Sequence, residues 1–104
     1  MGIFSFFLNR PDFAAGMEQA RSTPKAVLLD VRTVQEYAGG HVPGSINLPL
    51  DRLGSIGIHK SDPVFVYCQS GARSGQASRY LQAKGYTVTN IGGIADYRGV
   101  LEKG

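Results

Sequence analysis

The one cysteine of the chain, Cys68, lies in the stretch YCQSGARSGQ (67–76), with Gly71 three positions after it and Arg73 five positions after it. This spacing suits a sulfur nucleophile set in an anion cradle. The loop from Gln69 to Arg73 must turn sharply while aiming successive backbone N–H groups inward, and Gly71 can take the positive φ that such a nest requires. A helix beginning near Ser74 adds its unpaired N–H groups and the positive end of its dipole. Together with Arg73 these features stabilise negative charge on sulfur and predict a thiolate that forms below the ordinary thiol pKa of about 8.5. Most free cysteines are small buried hydrophobes. Here that reading would leave the Gln69, Ser70, Gly71, Ala72 and Arg73 cradle with nothing to hold, so the nucleophile is preferred.

Positioning that loop requires a strand before it and a helix after it, and the surrounding sequence provides both. PVFVYC (63–68) reads as the clearest central strand. SGQASRYLQAKG (74–85) reads as the clearest helix, with Ala77, Tyr80 and Leu81 on one face and Gly85 as its stop. AVLLDV (26–31) is a continuous apolar run of the kind buried on both faces of a parallel sheet. Short strands are expected at Ser45–Leu48 and at 87–91. The spacing predicts helices from Pro11 or Asp12 to about Ser22, weakly over Asp51–Ile58, and over Ile94–Leu101, with a helical turn around Val34–Tyr37. GGHVPG (39–44) is a loop. The alternation argues for an α/β fold: a central parallel sheet of about five strands with helices on both faces, the cysteine at a strand's carboxyl end where such sheets bind ligands. The apolar residues Ile3–Leu8 would supply an edge strand or a packed tail.

Composition narrows the function further. At 104 residues and 42% hydrophobic content the chain fits one domain, 1–104, with one core. A net charge of +3 comes from Lys and Arg scattered along the sequence, which favours small anions over nucleic acid. A lone cysteine excludes an internal disulfide and a dithiol redox cycle. The N-terminal apolar stretch is too short for a secretory signal or a membrane span, and Phe6 breaks the myristoylation pattern. A cytoplasmic protein with no membrane partner is the default expectation. A monomer is expected, with the apolar N-terminus as a candidate dimer interface.

Upstream of the cysteine, DVRTVQEYAGGHVPGSINLP (30–49) carries a second pattern: Asp30, Arg32, Glu36, Gly40, His41, Pro43, Gly44, Asn47 and Pro49. Together with Cys68, Gly71, Arg73 and the later pair Gly92 and Gly93, this resembles the single-domain rhodaneses, a family of sulfurtransferases. The resemblance covers about Ala26 to Val100. Residues 1–25 are less typical, and Tyr97 stands where the family commonly has tryptophan. Membership implies a rhodanese-like fold and a thiosulfate sulfurtransferase activity, in which Cys68 takes a sulfane sulfur from thiosulfate or a similar anionic donor. The resulting persulfide passes its sulfur to cyanide, a thiol or a protein acceptor. The N–H groups of residues 69–73 would hold its charge, and Arg73 would orient the donor or close the loop. No metal or organic cofactor is expected, since His41 and His59 are not at ligand spacing with Cys68.

Two other functions compete. A dual-specificity phosphatase or arsenate reductase of the same fold has five residues between cysteine and arginine, whereas this loop has four and the chain has no second cysteine. A sulfur carrier or regulatory module serving one protein partner would differ from a free enzyme in turning over poorly with small acceptors. Of the remaining polar residues, Asp30, Arg32 and Ser74 are expected to support the loop. Glu36 is expected to pair with Arg32 or cap a turn, and His41 to hydrogen-bond to backbone. Tyr67 and Tyr97 should pack, while Gln69 and Ser70 are candidates for acceptor preference.

Overall fold

In the computed structural model, which describes residues 11–104, the first helix opens on a side-chain cap. Asp12 accepts the N–H of Ala15 at 3.1 Å, and α1 runs Phe13–Ser22 with Phe13 and Met17 buried one turn apart. Thr23 closes it, just ahead of Pro24. The chain then enters β1 (Val27–Asp30), whose apolar residues make it a central strand, followed by α2 (Val34–Gly39) and the two-residue β2 (Ile46–Asn47). A 3-10 helix (Leu50–Ser55) leads to β3 (Val64–Cys68), α3 (Ala72–Ala83) and β4 (Val88–Gly93), and a 3-10 turn (Ile94–Asp96) follows.

The four strands form one parallel sheet in the order β2-β1-β3-β4. Every residue of β3 is buried. Side chains alternate across a strand, so β3 feeds two core layers. Val64, Val66 and Cys68 join Leu29, Ala77 and Leu81 beneath α3, while Phe65 and Tyr67 join Phe13, Met17 and Ile91 beneath α1. Each fully buried Leu or Val in these layers contributes about 1.5–3 kcal/mol relative to exposure. The alternation therefore fixes Cys68 on the α3 side, at the strand end that α3's first turn approaches.

A bulge in β4 completes the arrangement. Asn90 pairs with Val66 but Gly92 with Tyr67, so Ile91 is an extra residue that turns into the α1 layer. Gly92 and Gly93 consequently stand opposite Tyr67 and Cys68.

Some expectations are corrected. Four strands, not about five, occur among the described residues; the candidate strand Ile3–Leu8 lies outside them. The helix expected over Ile94–Leu101 is only the turn Ile94–Asp96. Tyr97 folds over Gly99 and donates its hydroxyl to the carbonyl of Val100, and the backbone of Glu102 pairs with His41, so tertiary pairing overrides the helical spacing. Asp51–Ile58 is the 3-10 helix Leu50–Ser55, consistent with the poor helix propensity of Gly54 and Gly57. Tyr80 is not a core residue: it is exposed, with the ammonium of Lys84 5.5 Å from its ring centroid. Among the described residues no helix is long and apolar enough to cross a membrane.

Candidate active site

Helix α3 begins at Ala72, two residues earlier than the sequence suggested, and Gly71 is its N-terminal flanking residue with φ +105°. The turn between strand and helix is thus only Gln69, Ser70 and Gly71. A left-handed residue there is what lets the loop reverse onto the cysteine, and a side chain would strain it. The Gly71 N–H points back to Cys68 Sγ at 3.0 Å, and the Ser74 hydroxyl lies 3.4 Å from the same sulfur. Burial pushes the thiol up, but hydrogen bonding from the Ser74 hydroxyl and from the N–H groups of Ser74, Gly71 and Ser70 outweighs it. The balance leaves Cys68 below its ordinary pKa. Two donors, the Gly71 N–H and the Ser74 hydroxyl, are within hydrogen-bonding distance of the sulfur.

Arg73 closes the loop instead of reaching over it. Its guanidinium forks onto Glu36, Nη1 donating to Oε1 at 2.7 Å and Nη2 to Oε2 at 3.0 Å. Glu36 in turn completes a capping box at the start of α2, accepting the N–H of Thr33 at 2.9 Å while its own N–H donates to the Thr33 hydroxyl at 3.1 Å. The Arg73 hydrogen bond is the main reason the Glu36 carboxyl is held down to about 2, partly offset by burial. Of the two roles expected for Glu36, capping is present, and its ionic partner is Arg73, not Arg32. The T-x-x-E spacing carried the first; nothing local carried the second.

Asp30 and Arg32 form a buried pair beside the loop. Arg32 donates its backbone N–H to Asp30 Oδ1 at 2.8 Å, Nε to both carboxylate oxygens and Nη2 to Oδ2 at 2.8 Å. Nη2 also reaches the Gly40 carbonyl at 2.7 Å, and Nη1 the side chain of Gln69 at 3.4 Å. Asn47 ties the same corner by donating to the carbonyls of Asp30 and Arg32. His41 holds backbone: its Nδ1 lies 2.8 Å from the Tyr37 carbonyl and its ring stacks on Tyr37. Tyr67 is buried, its hydroxyl accepting the Val42 N–H and bonding to Ser45.

Gly93, singled out in the sequence only as one of a pair, is a steric requirement. A Cβ there would meet the Gln69 carbonyl and come within 2.6 Å of the Ser70 Cα. The close approach also lets the Ala95 N–H donate to the Gln69 carbonyl at 3.2 Å. Beside the loop, Arg32, Gln35, Glu36, Gln69, Ile94 and Leu101 border a cleft of about 420 Å³. Cys68, Gly71, Arg73 and Ser74 thus come together, Asp30 and Arg32 back them, and Gln69, Ser70 and Ala72 are exposed.

Residues 13–99 match the Rhodanese-like domain family. The chain belongs to the rhodanese-like family. Relatives of this rhodanese-like chain carry sulfurtransferase names. Thiosulfate sulfurtransferase PspE of Escherichia coli (strain K12) is 44% identical over 73 residues, covering 65% of this chain and 70% of that protein. A protein named sulfurtransferase from Allochromatium vinosum is 37% identical over 91 residues, 84% of this chain and 85% of its own length. Among solved structures, rhodanese with anions from E. coli superposes with a TM-score of 0.69 at 38% identity, covering 76% of this chain and 99% of that one.

Proposed function

We propose that this rhodanese-like chain transfers a sulfane sulfur from thiosulfate or a similar donor to a thiophilic acceptor through a persulfide on Cys68. The observation that carries the reading is the convergence of the Gly71 N–H and the Ser74 hydroxyl on Cys68 Sγ inside a loop with four residues before Arg73. That cradle is matched to a charge on one sulfur atom rather than to a tetrahedral phosphate.

The Cys68 thiolate attacks the sulfane sulfur of thiosulfate, a sulfur–sulfur bond forms to Cys68, and sulfite leaves with the electron pair of the broken bond. The N–H groups of Ser70, Gly71 and Ser74 hold the charge of the persulfide, as they hold that of the thiolate. Cyanide or a thiolate then attacks the outer sulfur, and the electron pair returns to Cys68. The nucleophile needs no general base, because the cradle itself favours the thiolate. Arg73 acts through geometry: paired with Glu36, it locks the loop to α2 and leaves donor binding to the N–H groups. Asp30 and Arg32 support that lock from below.

Steady-state kinetics test the reading. Thiocyanate formation from thiosulfate and cyanide should show double-displacement behaviour, with parallel double-reciprocal lines, and should vanish in Cys68→Ser. Intersecting lines, or turnover that survives in Cys68→Ser, would refute it.

A further inference from the structure

The cleft beside the loop is electrically balanced, and part of its wall is aliphatic. Both charged groups that border it are already paired, the Arg32 guanidinium with Asp30 and the Glu36 carboxylate with Arg73. The other side chains bordering it are the amides of Gln35 and Gln69 and the apolar groups of Ile94 and Leu101. At about 420 Å³ the cleft is more than ten times the roughly 30 Å³ share of one water molecule, so it is far larger than cyanide requires.

Leu101 reaches this position because the chain after Gly99 is clamped against the end of α2. The N–H of His41 donates to the Glu102 carbonyl at 2.8 Å, that of Glu102 to the His41 carbonyl at 2.9 Å, and that of Gly104 to the Ala38 carbonyl at 2.8 Å. Leu101 lies over Gly40, where an added Cβ would come 3.1 Å from its Cδ1. It is nonetheless 46% exposed, a leucine held at a cleft edge without being needed in the core.

We propose that this cleft takes the organic body of a thiol acceptor that is uncharged apart from its reacting sulfur, and that Leu101, with Ile94, selects it. The inference rests on the sulfur-transfer reading above. The acceptor thiolate attacks the outer sulfur of the Cys68 persulfide; the new sulfur–sulfur bond forms as the bond to Cys68 breaks, and the electron pair returns to Cys68 as thiolate. Sulfur moves with no external oxidant or reductant. Charge at the reacting sulfur is met by the loop's N–H groups. A second charge on the acceptor's body would give up water and find the Arg32 guanidinium and the Glu36 carboxylate each already paired. An aliphatic body loses nothing and covers Leu101 and Ile94.

The test is single-turnover discharge of persulfidated protein by three thiols of equal chain length: 3-mercapto-1-propanol, 3-mercaptopropionate and 3-aminopropanethiol, with rates expressed per thiolate. Loading with thiosulfate, checked by mass, and discharge by cyanide are the controls. The neutral thiol should be favoured about tenfold over both charged ones in the second-order rate constant for discharge. Leu101→Ser should raise its half-saturating concentration about fivefold while leaving the limiting discharge rate, loading and cyanide discharge unchanged. Normal loading with a charged thiol preferred, or an equal effect of Leu101→Ser on cyanide, would overturn the inference alone. No persulfide on the wild-type protein would overturn both this inference and the sulfur-transfer reading.

Discussion

Replacing Ser74 with Ala removes the one side-chain donor from the Cys68 sulfur and leaves the Gly71 N–H in place. The hydroxyl has a single proton, which it can offer to Sγ at 3.4 Å, to the Gly71 carbonyl at 3.1 Å or to the Gly92 carbonyl at 3.4 Å. When sulfur is ionised the charge draws the proton to it. A hydrogen bond to a charged group is worth about 1.5–3 kcal/mol, and the long contact argues for the lower end, about 1.5 kcal/mol. That corresponds to a roughly tenfold smaller thiolate fraction at any pH below the midpoint. A more basic thiolate is also a better nucleophile, with a Brønsted coefficient of about 0.4–0.5, so each thiolate of the variant should react about threefold faster. Iodoacetamide alkylation followed against pH separates the two effects. At low pH the Ser74→Ala rate should fall about three- to fourfold, and at high pH its plateau should rise about threefold, the curves crossing between. The Gly71 carbonyl keeps the Gly75 N–H as a donor, so the loop retains a partner there. Superimposable profiles would show that the hydroxyl does not contribute to thiolate stability. A uniform fall at every pH would show that the loop had collapsed.

Three further predictions follow from the loop's supports. Gly93→Ala should slow persulfide formation by about tenfold or more, because the new methyl group displaces Gln69 and Ser70; single-turnover loading at wild-type rate would show that the loop accommodates it. Glu36 is held down to about 2, below the unfolded value of about 4.3. The stability it adds is complete above the unfolded value and lost as pH falls toward the folded one. Urea midpoints of Glu36→Gln should therefore fall less steeply than wild type between about pH 5 and pH 2, and equal slopes would contradict the pairing with Arg73. Lys25 has φ +62°, a left-handed conformation costly for a residue with a side chain. Lys25→Gly should stabilise the fold by about 0.5–1 kcal/mol in denaturant titration, after the entropy that glycine adds to the unfolded chain is subtracted; destabilisation would contradict the assignment.

What could be read from the sequence was local chemistry. Asp12 as a cap, Gly71 as the left-handed residue and the apolar runs of β1 and β3 each follow from residue type and immediate neighbours. So does the placing of Cys68 between a strand and a helix N-terminus. What could not be read depends on elements far apart in the chain. Arg73 looked available for an anion because Glu36, thirty-seven residues earlier, becomes its neighbour only when α2 packs beside the loop. Ile94, Tyr97 and Leu101 have helical spacing, yet the His41–Glu102 pairing straightens the chain and turns Leu101 to the cleft. The extra residue Ile91, and with it the placing of Gly93 against Gln69, is a register shift between strands and has no local signature.

Intact-protein mass spectrometry after incubation with thiosulfate tests the central claim most directly. Wild type should gain one sulfur atom and lose it as thiocyanate when cyanide is added, and Cys68→Ser should gain none. A wild-type protein that stays unmodified, or a Cys68→Ser protein that still acquires a cyanide-labile sulfur, would contradict the assignment of Cys68 as the sulfur-carrying nucleophile.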